Sequence, residues 1–329
     1  MLITQFEVGV VVIGRNEGQR LVRCLQSLSG KGYVVVYVDS GSTDGSMNEA
    51  AKLGVKALAL DMKIPFTAAR ARNVGFQYLM QIAPNLEYVQ FVDGDCEVMS
   101  DWINKGVDFL DEHPEVAVVS GRCRERHPEN SIFNLMCDLE WNTPIGEAKA
   151  SGGNTLMRVR AFQEAGGFRN QLIAGEEPEL CVRLRSAGWK VWRLDAEMVL
   201  HDAAMTKFSQ WWKRTMRGGY AFAEGAYLHG ATPERHWVKE SRRSLIWGLF
   251  IPGIVILAGI FCWQCGLMAA LVYPLQICRL ALRNKKELKP QPWILASFSV
   301  LGKFAEMYGQ LRFHYQRLLG RAAQLIEYK

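Results

Sequence analysis

Apolar and polar positions follow two rhythms along this chain. Up to about residue 240, short apolar runs rich in β-branched residues alternate with stretches whose apolar residues recur every three or four positions. Val8–Ile13 (VGVVVI), Tyr33–Val38 (YVVVYV), Val55–Leu60, Tyr88–Val92 and Val116–Ser120 read as strands. Between them, Glu17–Leu28 puts Leu21, Cys24, Leu25 and Leu28 on one helical face, and Thr67–Ile82 and Trp102–Leu110 also read as helices. Gly41-Ser42-Thr43-Asp44-Gly45-Ser46 reads as a turn that caps the next helix. Continuous β-branched runs separated by helices predict a parallel sheet covered on both faces. Sheets of this kind bind ligands outside the carboxyl ends of their strands.

The rhythm changes near Arg242. Leu245–Leu282, 38 residues, is almost uncharged until Arg279. A membrane-spanning helix needs about 20 residues, so the stretch fits two spans with a turn near Trp263-Gln264-Cys265-Gly266. Arg242 and Arg243 flank one end and Arg283, Lys285 and Lys286 the other, which puts both ends on the cytoplasmic side. Two buried helices of a soluble domain would show a polar face, and this stretch shows hardly any. Pro252 and Pro274 keep a shallow re-entrant hairpin open beside full spanning. Beyond Pro290 and Pro292, an apolar Trp293–Leu301 leads into a mixed, basic Lys303–Arg321: a third, shorter insertion or an amphipathic helix on the membrane surface.

Composition narrows the class. Apolar residues make up 49% of the 329 and charged residues 22%, enough for a real core. The net charge of +6 suits an anionic ligand or membrane surface and is too weak and scattered to argue for nucleic acid. The eight cysteines are irregularly spaced, and the one close pair, Cys262 and Cys265, lies in the apolar stretch. They read as small apolar residues kept reduced, in a cytosol-facing protein. Met1–Val12 has neither a basic n-region nor a small-residue cleavage site, so no signal peptide is expected there.

Candidate chemistry follows the strands. Gly14-Arg15-Asn16-Glu17 comes after the first, Asp39-Ser40-Gly41-Ser42-Thr43-Asp44 after the second, and Asp93-Gly94-Asp95 after the fourth. A parallel sheet gathers all three at one edge. Carboxylates at the mouth of an apolar strand, as in VQFVDGDCEVMS, need a counter-charge, and a hard divalent cation with oxygen ligands supplies one. Mg²⁺ and Mn²⁺ take one or two carboxylates and complete their shells with water and phosphate oxygens, so a diphosphate is the implied ligand. There is no glycine-rich dinucleotide fingerprint and no P-loop, which disfavours hydride transfer and kinase-type use of ATP.

The ordered series VVVIGRNEGQRLVRCLQSL, VVYVDSGSTDGS, ARARNVGF, VQFVDGDCEV, GGNTLMRVRAFQEAGGF and AGEEPELCVRLRSAGWKVW, spanning roughly residues 6–220, resembles family-2 glycosyltransferases of the GT-A fold. The resemblance implies an α/β, Rossmann-like catalytic domain over residues 1–240 with a mostly parallel central sheet. Membrane-associated helices would follow over 241–329, with the hairpin at about 245–282 and the further helix at about 293–321. It also implies inverting, Mn²⁺- or Mg²⁺-dependent transfer of a sugar from a nucleotide diphosphate. By the same resemblance, Asp39 and Glu17 bind the nucleotide, Arg72 lies near it with Arg70 beside it in sequence, Asp93 sits near ribose and metal, and Asp95 binds the metal. Glu176-Glu177 replaces the family's usual Glu-Asp pair, so the catalytic base is Glu177 or, with different geometry, Glu176; Glu177 is preferred. With Glu179 these acids also crowd the start of a helix opened by Pro178, where the dipole favours anions; Leu180, Leu184 and Ala187 are expected on its core face.

Further along, His201-Asp202 offers a further metal ligand or ends a polar strand. Gln210-Trp211-Trp212-Lys213-Arg214 resembles the Q-x-x-R-W motif of processive members with its order changed, which puts long-chain synthesis in doubt. Trp211 and Trp212 would stack on an acceptor sugar or sit at a membrane interface, and Arg214 and Arg217 would hold a phosphate or form a solvated basic face. Gly152-Gly153-Asn154 shapes the acceptor floor or makes a turn before a strand. The leading expectation is a transferase at the cytoplasmic face of the cell membrane, acting on a lipid-linked glycan or polysaccharide precursor. Transfer directly onto polyprenyl phosphate or another membrane lipid is the alternative. An inactive nucleotide-sugar-binding or scaffold subunit is the alternative of another class.

Overall fold

The computed structural model describes residues 7–285, 289–321 and 323–327. Most of the region considered for a signal peptide before Val8, and the flanking Lys286, lie outside them.

By packing, the described chain divides into two units, residues up to Pro128 with Glu140–Ala204, and Glu129–Leu139 with Met205 onward. This division differs from the boundary expected near residue 240. Phe208–His229 belongs with the C-terminal helices, because its apolar face is buried by one of them.

In the first unit the strands are β1 (Val8–Gly14), β2 (Val34–Asp39), β3 (Lys56–Ala59), β4 (Tyr88–Asp93), β5 (Cys96–Val98), β6 (Val116–Glu125), β7 (Gly146–Glu147), β8 (Thr155–Arg158) and β9 (Lys190–His201). They form one sheet in the order β3-β2-β1-β4-β8-β6-β9-β5, with β7 also paired to β9. β1 pairs parallel with β2 and β4, and β2 with β3, as the apolar runs predict. The antiparallel β8 separates β4 from β6, and β5 and β7 pair antiparallel with β9, so the sheet is mixed though parallel through its β3–β4 half. Val116–Ser120 proves to be the first half of a strand that runs on to Glu125.

Helices α1 (Gln19–Leu28), α2 (Ser46–Lys52), α3 (Ala68–Ile82) and α4 (Trp102–Glu112) connect these strands. The runs in β1 and β4 are apolar throughout because both faces are covered. Val8, Val10 and Val12 face α1 and α4, whereas Val11 and Ile13 face α3. Thr67 caps α3 by accepting a hydrogen bond from the Arg70 amide.

In the second unit, α5 (Ile132–Glu140, counted here to Leu139) precedes α6 (Val159–Glu164) and α7 (Glu176–Ser186) of the first unit. The second unit resumes with α8 (Phe208–His229) and α9 (Val238–Leu245). A π-helical turn over Ile246–Phe250 then leads into α10 (Ile251–Phe261), followed by α11 (Trp263–Ala270), α12 (Val272–Arg283) and α13 (Pro292–Leu318). Val238–Phe261 and Trp263–Arg283 are two helical segments long and apolar enough to cross a membrane, with 11% of each apolar window buried. The chain reverses at the extended Cys262, inside the expected hairpin. α13 packs along α8, burying Leu295, Val300, Ala305 and Phe313. This face of α13 is therefore a contact within the helical bundle, while Trp293, Ile294, Leu301, Tyr308 and Leu311 remain exposed on the helix.

Candidate active site

The register aligns the three acidic turns. Gly14 of β1 lies opposite Asp39, and Ile13 opposite Asp93. The first two turns are laced together: the Asn16 amide donates to Ser42 Oγ at 2.9 Å, Asn16 Oδ1 accepts from the Thr43 amide at 2.8 Å, and the Gly18 amide donates to Asp44 at 2.9 Å. Asp39 is buried and accepts from the Tyr37 hydroxyl at 2.7 Å and from the Gly41 and Ser42 amides at 3.0 and 2.8 Å. Glu17 pairs with Arg20 at 2.9 Å.

The third turn is built around Arg72. Its side chain, 3% exposed, reaches Asp93 at 2.7 Å and Glu176 at 2.5 Å. Burial opposes the guanidinium charge, but the carboxylates of Asp93, Glu176 and Glu177 outweigh it and hold Arg72 above its ordinary pKa. Gly153 makes this possible, since a Cβ there would lie 2.6 Å from the Arg72 guanidinium and 3.0 Å from the Asp93 carboxylate. Asn154 accepts from the Asp93 amide at 2.9 Å. Gly153 and Asn154 thus brace the acidic cluster. Arg70 instead donates to the carbonyls of Asp61, Ile64 and Pro65 and braces a loop. From sequence, a cation was to compensate Asp93-Gly94-Asp95; in the fold, Arg72 provides a counter-charge for Asp93.

Asp95 meets His201, although the two are far apart in sequence, because β5 folds back on β9 and pairs Cys96 with His201. Asp95 Oδ1 lies 3.4 Å from His201 Nε2. That separation is long for a strong hydrogen bond and suits two ligands of one small cation. Asp95, Cys96 and His201 form a potential metal-binding group. Burial, then the Asp95 charge, pushes the Cys96 thiol well above its ordinary pKa, and a hard cation prefers carboxylate and imidazole donors such as Asp95 and His201 to a soft sulfur. His201 Nδ1 is buried without a hydrogen bond among the described residues and lies 3.6 Å from Glu125, whose carboxylate accepts from the Ala203 amide at 3.0 Å. Metal-bound histidines commonly turn their second nitrogen to a carboxylate in this way. Asp202 points elsewhere and pairs with Arg23 at 3.2 Å. The donor set therefore fits a divalent cation through Asp95 and His201, with Glu125 3.6 Å from the other imidazole nitrogen.

At the start of α7, Gly175 adopts a left-handed conformation (φ 78°) and the helix begins at Glu176, two residues before Pro178. Glu176 is bound to Arg72, and Glu179 is held by Arg169 at 2.6 Å and Arg183 at 2.7 Å. Glu177 forms no ion pair among the described residues. Its pKa is pushed up to about 8, first by burial and then by the Glu176 charge, with Arg72 opposing. Leu180 and Leu184 face the core as expected, whereas Ala187 is exposed at the helix end.

Trp211, Trp212, Arg214 and Arg217 lie on α8 in the second unit. Trp211 is 3% exposed, packed within 6.0 Å of the rings of Phe133, Phe208 and Phe298, which leaves no face for a sugar or a membrane interface. With Met216, Tyr220 and Ala223 it forms the buried stripe of its helix. Trp212 is partly buried and, with Phe208, Ser209 and Lys213, lines a cleft of about 300 Å³. Arg214 and Arg217 are partly buried. Glu125 and Cys96 were not singled out from sequence. Glu125 was hidden in a charged run (Arg122–Glu125) that carries no apolar alternation, and Cys96 read as packing.

The profile of Glycosyl transferase family 2 matches residues 9–170. Glycosyltransferase AglE of Haloferax volcanii is 23% identical over 197 residues, covering 56% of this chain and 63% of that protein. Succinoglycan biosynthesis protein ExoA of Rhizobium meliloti is 26% identical over 178 residues, covering 51% and 53%. The chain thus spans under two thirds of either relative. Among solved structures, mannosyltransferase PcManGT from Pyrobaculum calidifontis, in complex with GDP-Man and Mn²⁺, superposes with a TM-score of 0.63 at 17% identity, covering 94% of this chain and 88% of that one. S. aureus TarS 1-349 superposes with a TM-score of 0.53 at 16% identity, covering 96% and 92%. These likenesses establish the fold.

Proposed function

We propose, from the premise that this chain carries a family-2 glycosyltransferase domain of GT-A fold acting in glycan or polysaccharide synthesis, that it transfers a sugar with inversion from a nucleotide diphosphate to a membrane-linked acceptor. The observation that carries the reading is the meeting of Asp95 and His201 at 3.4 Å on the sheet edge. It is supported by Glu177, the one acid of its trio that is not committed to an arginine.

Asp95 and His201 would hold a divalent cation, and Glu125 would fix the imidazole. Such a cation neutralises charge on the leaving diphosphate when bound. Asp39 and Glu17 lie on turns that would frame the nucleotide, and Arg72 holds Asp93 and Glu176 in place. Glu177 takes the proton from the acceptor hydroxyl as oxygen attacks the anomeric carbon opposite the leaving group. A pKa near 8 makes it a competent base near neutral pH. The complex of PcManGT with GDP-Man and Mn²⁺ supports the donor class. Two apolar helices with mostly exposed surfaces support a membrane location; the reading puts the site at the cytoplasmic face, beside a lipid-linked acceptor.

The test incubates the detergent-solubilised chain with radiolabelled nucleotide sugars, Mn²⁺ and membrane lipid extract. Metal-dependent label in the lipid fraction is expected. Saturable nucleotide-sugar binding with neither transfer nor hydrolysis, across donors and extracts, would instead favour the inactive binding-subunit reading.

A further inference from the structure

Cys96 stands at the candidate metal edge and has no part in the proposed transfer. β5 pairs with β9 so that Cys96 lies directly opposite His201, and residues so paired carry their side chains on one face. Asp95 precedes the strand, in the turn after β4. Its Oδ1 lies 3.6 Å from Cys96 Sγ and 3.4 Å from His201 Nε2. The oxygen, the sulfur and the nitrogen all fall within 4.8 Å of one another. Carboxylate, thiolate and imidazole are the donors of zinc sites, with bonds of about 2.0–2.2, 2.3 and 2.0–2.1 Å at tetrahedral angles. That geometry sets oxygen and nitrogen about 3.3–3.4 Å apart, and oxygen and sulfur about 3.5–3.6 Å apart. An octahedral ion with bonds of about 2.1 Å would instead draw two adjacent donors to about 3.0 Å. The oxygen thus already stands at tetrahedral spacing from both neighbours.

The sulfur is also placed to carry charge. Asn154 accepts from the Asp93 amide through Oδ1 at 2.9 Å, which fixes its other end, and Nδ2 donates to Cys96 Sγ at 3.3 Å. Hydrogen bonds of this kind orient a ligand atom and tune its metal. Cys96 is buried, and its thiol proton passes to solvent as a cation takes the sulfur. Divalent ions differ in what they draw from such a set. Mn²⁺ and Mg²⁺ use the oxygen and the nitrogen, whereas Zn²⁺ takes thiolate as well, and on a given site Mn²⁺ is the weaker binder.

We propose that Zn²⁺ binds this edge through Asp95, His201 and Cys96 as third ligand, and displaces the harder cation that the proposed transfer uses. Zinc on three protein ligands keeps one open position, whereas a six-coordinate ion on two keeps four for water and diphosphate oxygens, so the zinc form holds the donor poorly. The inference rests on reading this edge as a metal site, not on sugar transfer. The test adds Co²⁺, a spectroscopic stand-in for Zn²⁺, to the detergent-solubilised full chain carrying Cys265→Ser, which breaks up the close thiol pair Cys262 and Cys265. A saturable near-ultraviolet sulfur-to-cobalt charge-transfer band, abolished by Zn²⁺, is expected, and Zn²⁺ should release bound Mn²⁺ as read by electron paramagnetic resonance. Cys96→Ser should abolish the band and weaken Zn²⁺ about 100-fold or more, while Mn²⁺ affinity changes little. Zinc-edge X-ray absorption of the Zn²⁺-loaded chain, which needs no Cys96 variant, should show one sulfur at about 2.3 Å. A Co²⁺ complex without the band, a band kept in Cys96→Ser, a zinc shell without sulfur, or Mn²⁺ that Zn²⁺ fails to release would each overturn the inference. Mn²⁺ bound without those signatures would leave the transferase reading standing, and a sulfur-ligated site in a chain that transfers no sugar would sink that reading alone.

Discussion

Replacing Arg72 by methionine keeps most of the buried volume and removes the charge that Asp93 and Glu176 share. In the wild type this guanidinium lies 2.7 Å from one carboxylate and 2.5 Å from the other, with side chains 3%, 33% and 8% exposed for Arg72, Asp93 and Glu176. Deleting one partner of a buried ionic group strands the others, at a cost of about 3–5 kcal/mol. For a domain of this size that lowers the thermal midpoint by roughly 6–20 °C. The sign of the pH dependence follows. Stranded carboxylates have folded-state pKa values raised above the unfolded values of about 3.9–4.3, so the variant's stability is kept at low pH and lost as pH rises. The deficit should therefore be widest at neutral pH and nearly closed near pH ~4. Adding Glu176→Gln to Arg72→Met should restore part of the loss at pH ~7. Thermal melts of the detergent-solubilised chain followed by near-UV circular dichroism measure this. A variant as stable as wild type at neutral pH, or a deficit unchanged by acid, would refute the claim that Arg72 compensates the cluster.

The other predictions concern the reaction, the cation and the helix core. Glu177→Gln should bind donor normally and turn over about 10²–10⁴-fold more slowly, and wild-type kcat/KM should climb with pH and level off above about 8; a flat profile or wild-type rates in the variant would move the base elsewhere. Because burial raises the Glu177 pKa to about 8, above the unfolded value of about 4.3, wild-type stability should fall as pH rises from about 4.3 to about 8 and level off beyond, a loss that Glu177→Gln escapes, so the difference between the two proteins' melts should change across that window and stay constant above it. Glu125→Gln should cost about 10–100-fold in Mn²⁺ affinity, read by electron paramagnetic resonance, through its hold on His201; unchanged affinity would separate His201 from the cation. Trp211→Ala should destabilise the helical unit by about 3–5 kcal/mol while leaving acceptor KM unchanged, whereas a large KM effect in a well-folded variant would return the ring to the acceptor.

The alternation of β-branched runs with helical periodicity determined β1 to β4, the helices between them and the edge at which their turns collect. Those strands are apolar throughout because both faces are buried, and such a run reads the same in sequence as in the fold. The apolar 38-residue stretch likewise declared itself, since no polar face interrupts it. The antiparallel strands were less visible. β5, β7 and β8 have two to four residues, too few for a period, and β9 alternates irregularly around its bulge. The sequence named Asp93, Asp95, Glu176, Glu177 and His201 as acids and a histidine near strand and helix ends; which of them meet was a tertiary decision. Charges act over a few ångströms of space, and Arg72 lies 104 positions from Glu176 along the chain. Only the packing of α3 and α7 against the sheet sets Glu176 on that arginine, and only the return of β5 onto β9 sets His201 beside Asp95. Trp211 shows the converse, a motif-like residue that its helix turns inward, because the face a side chain occupies depends on which partner helix buries it.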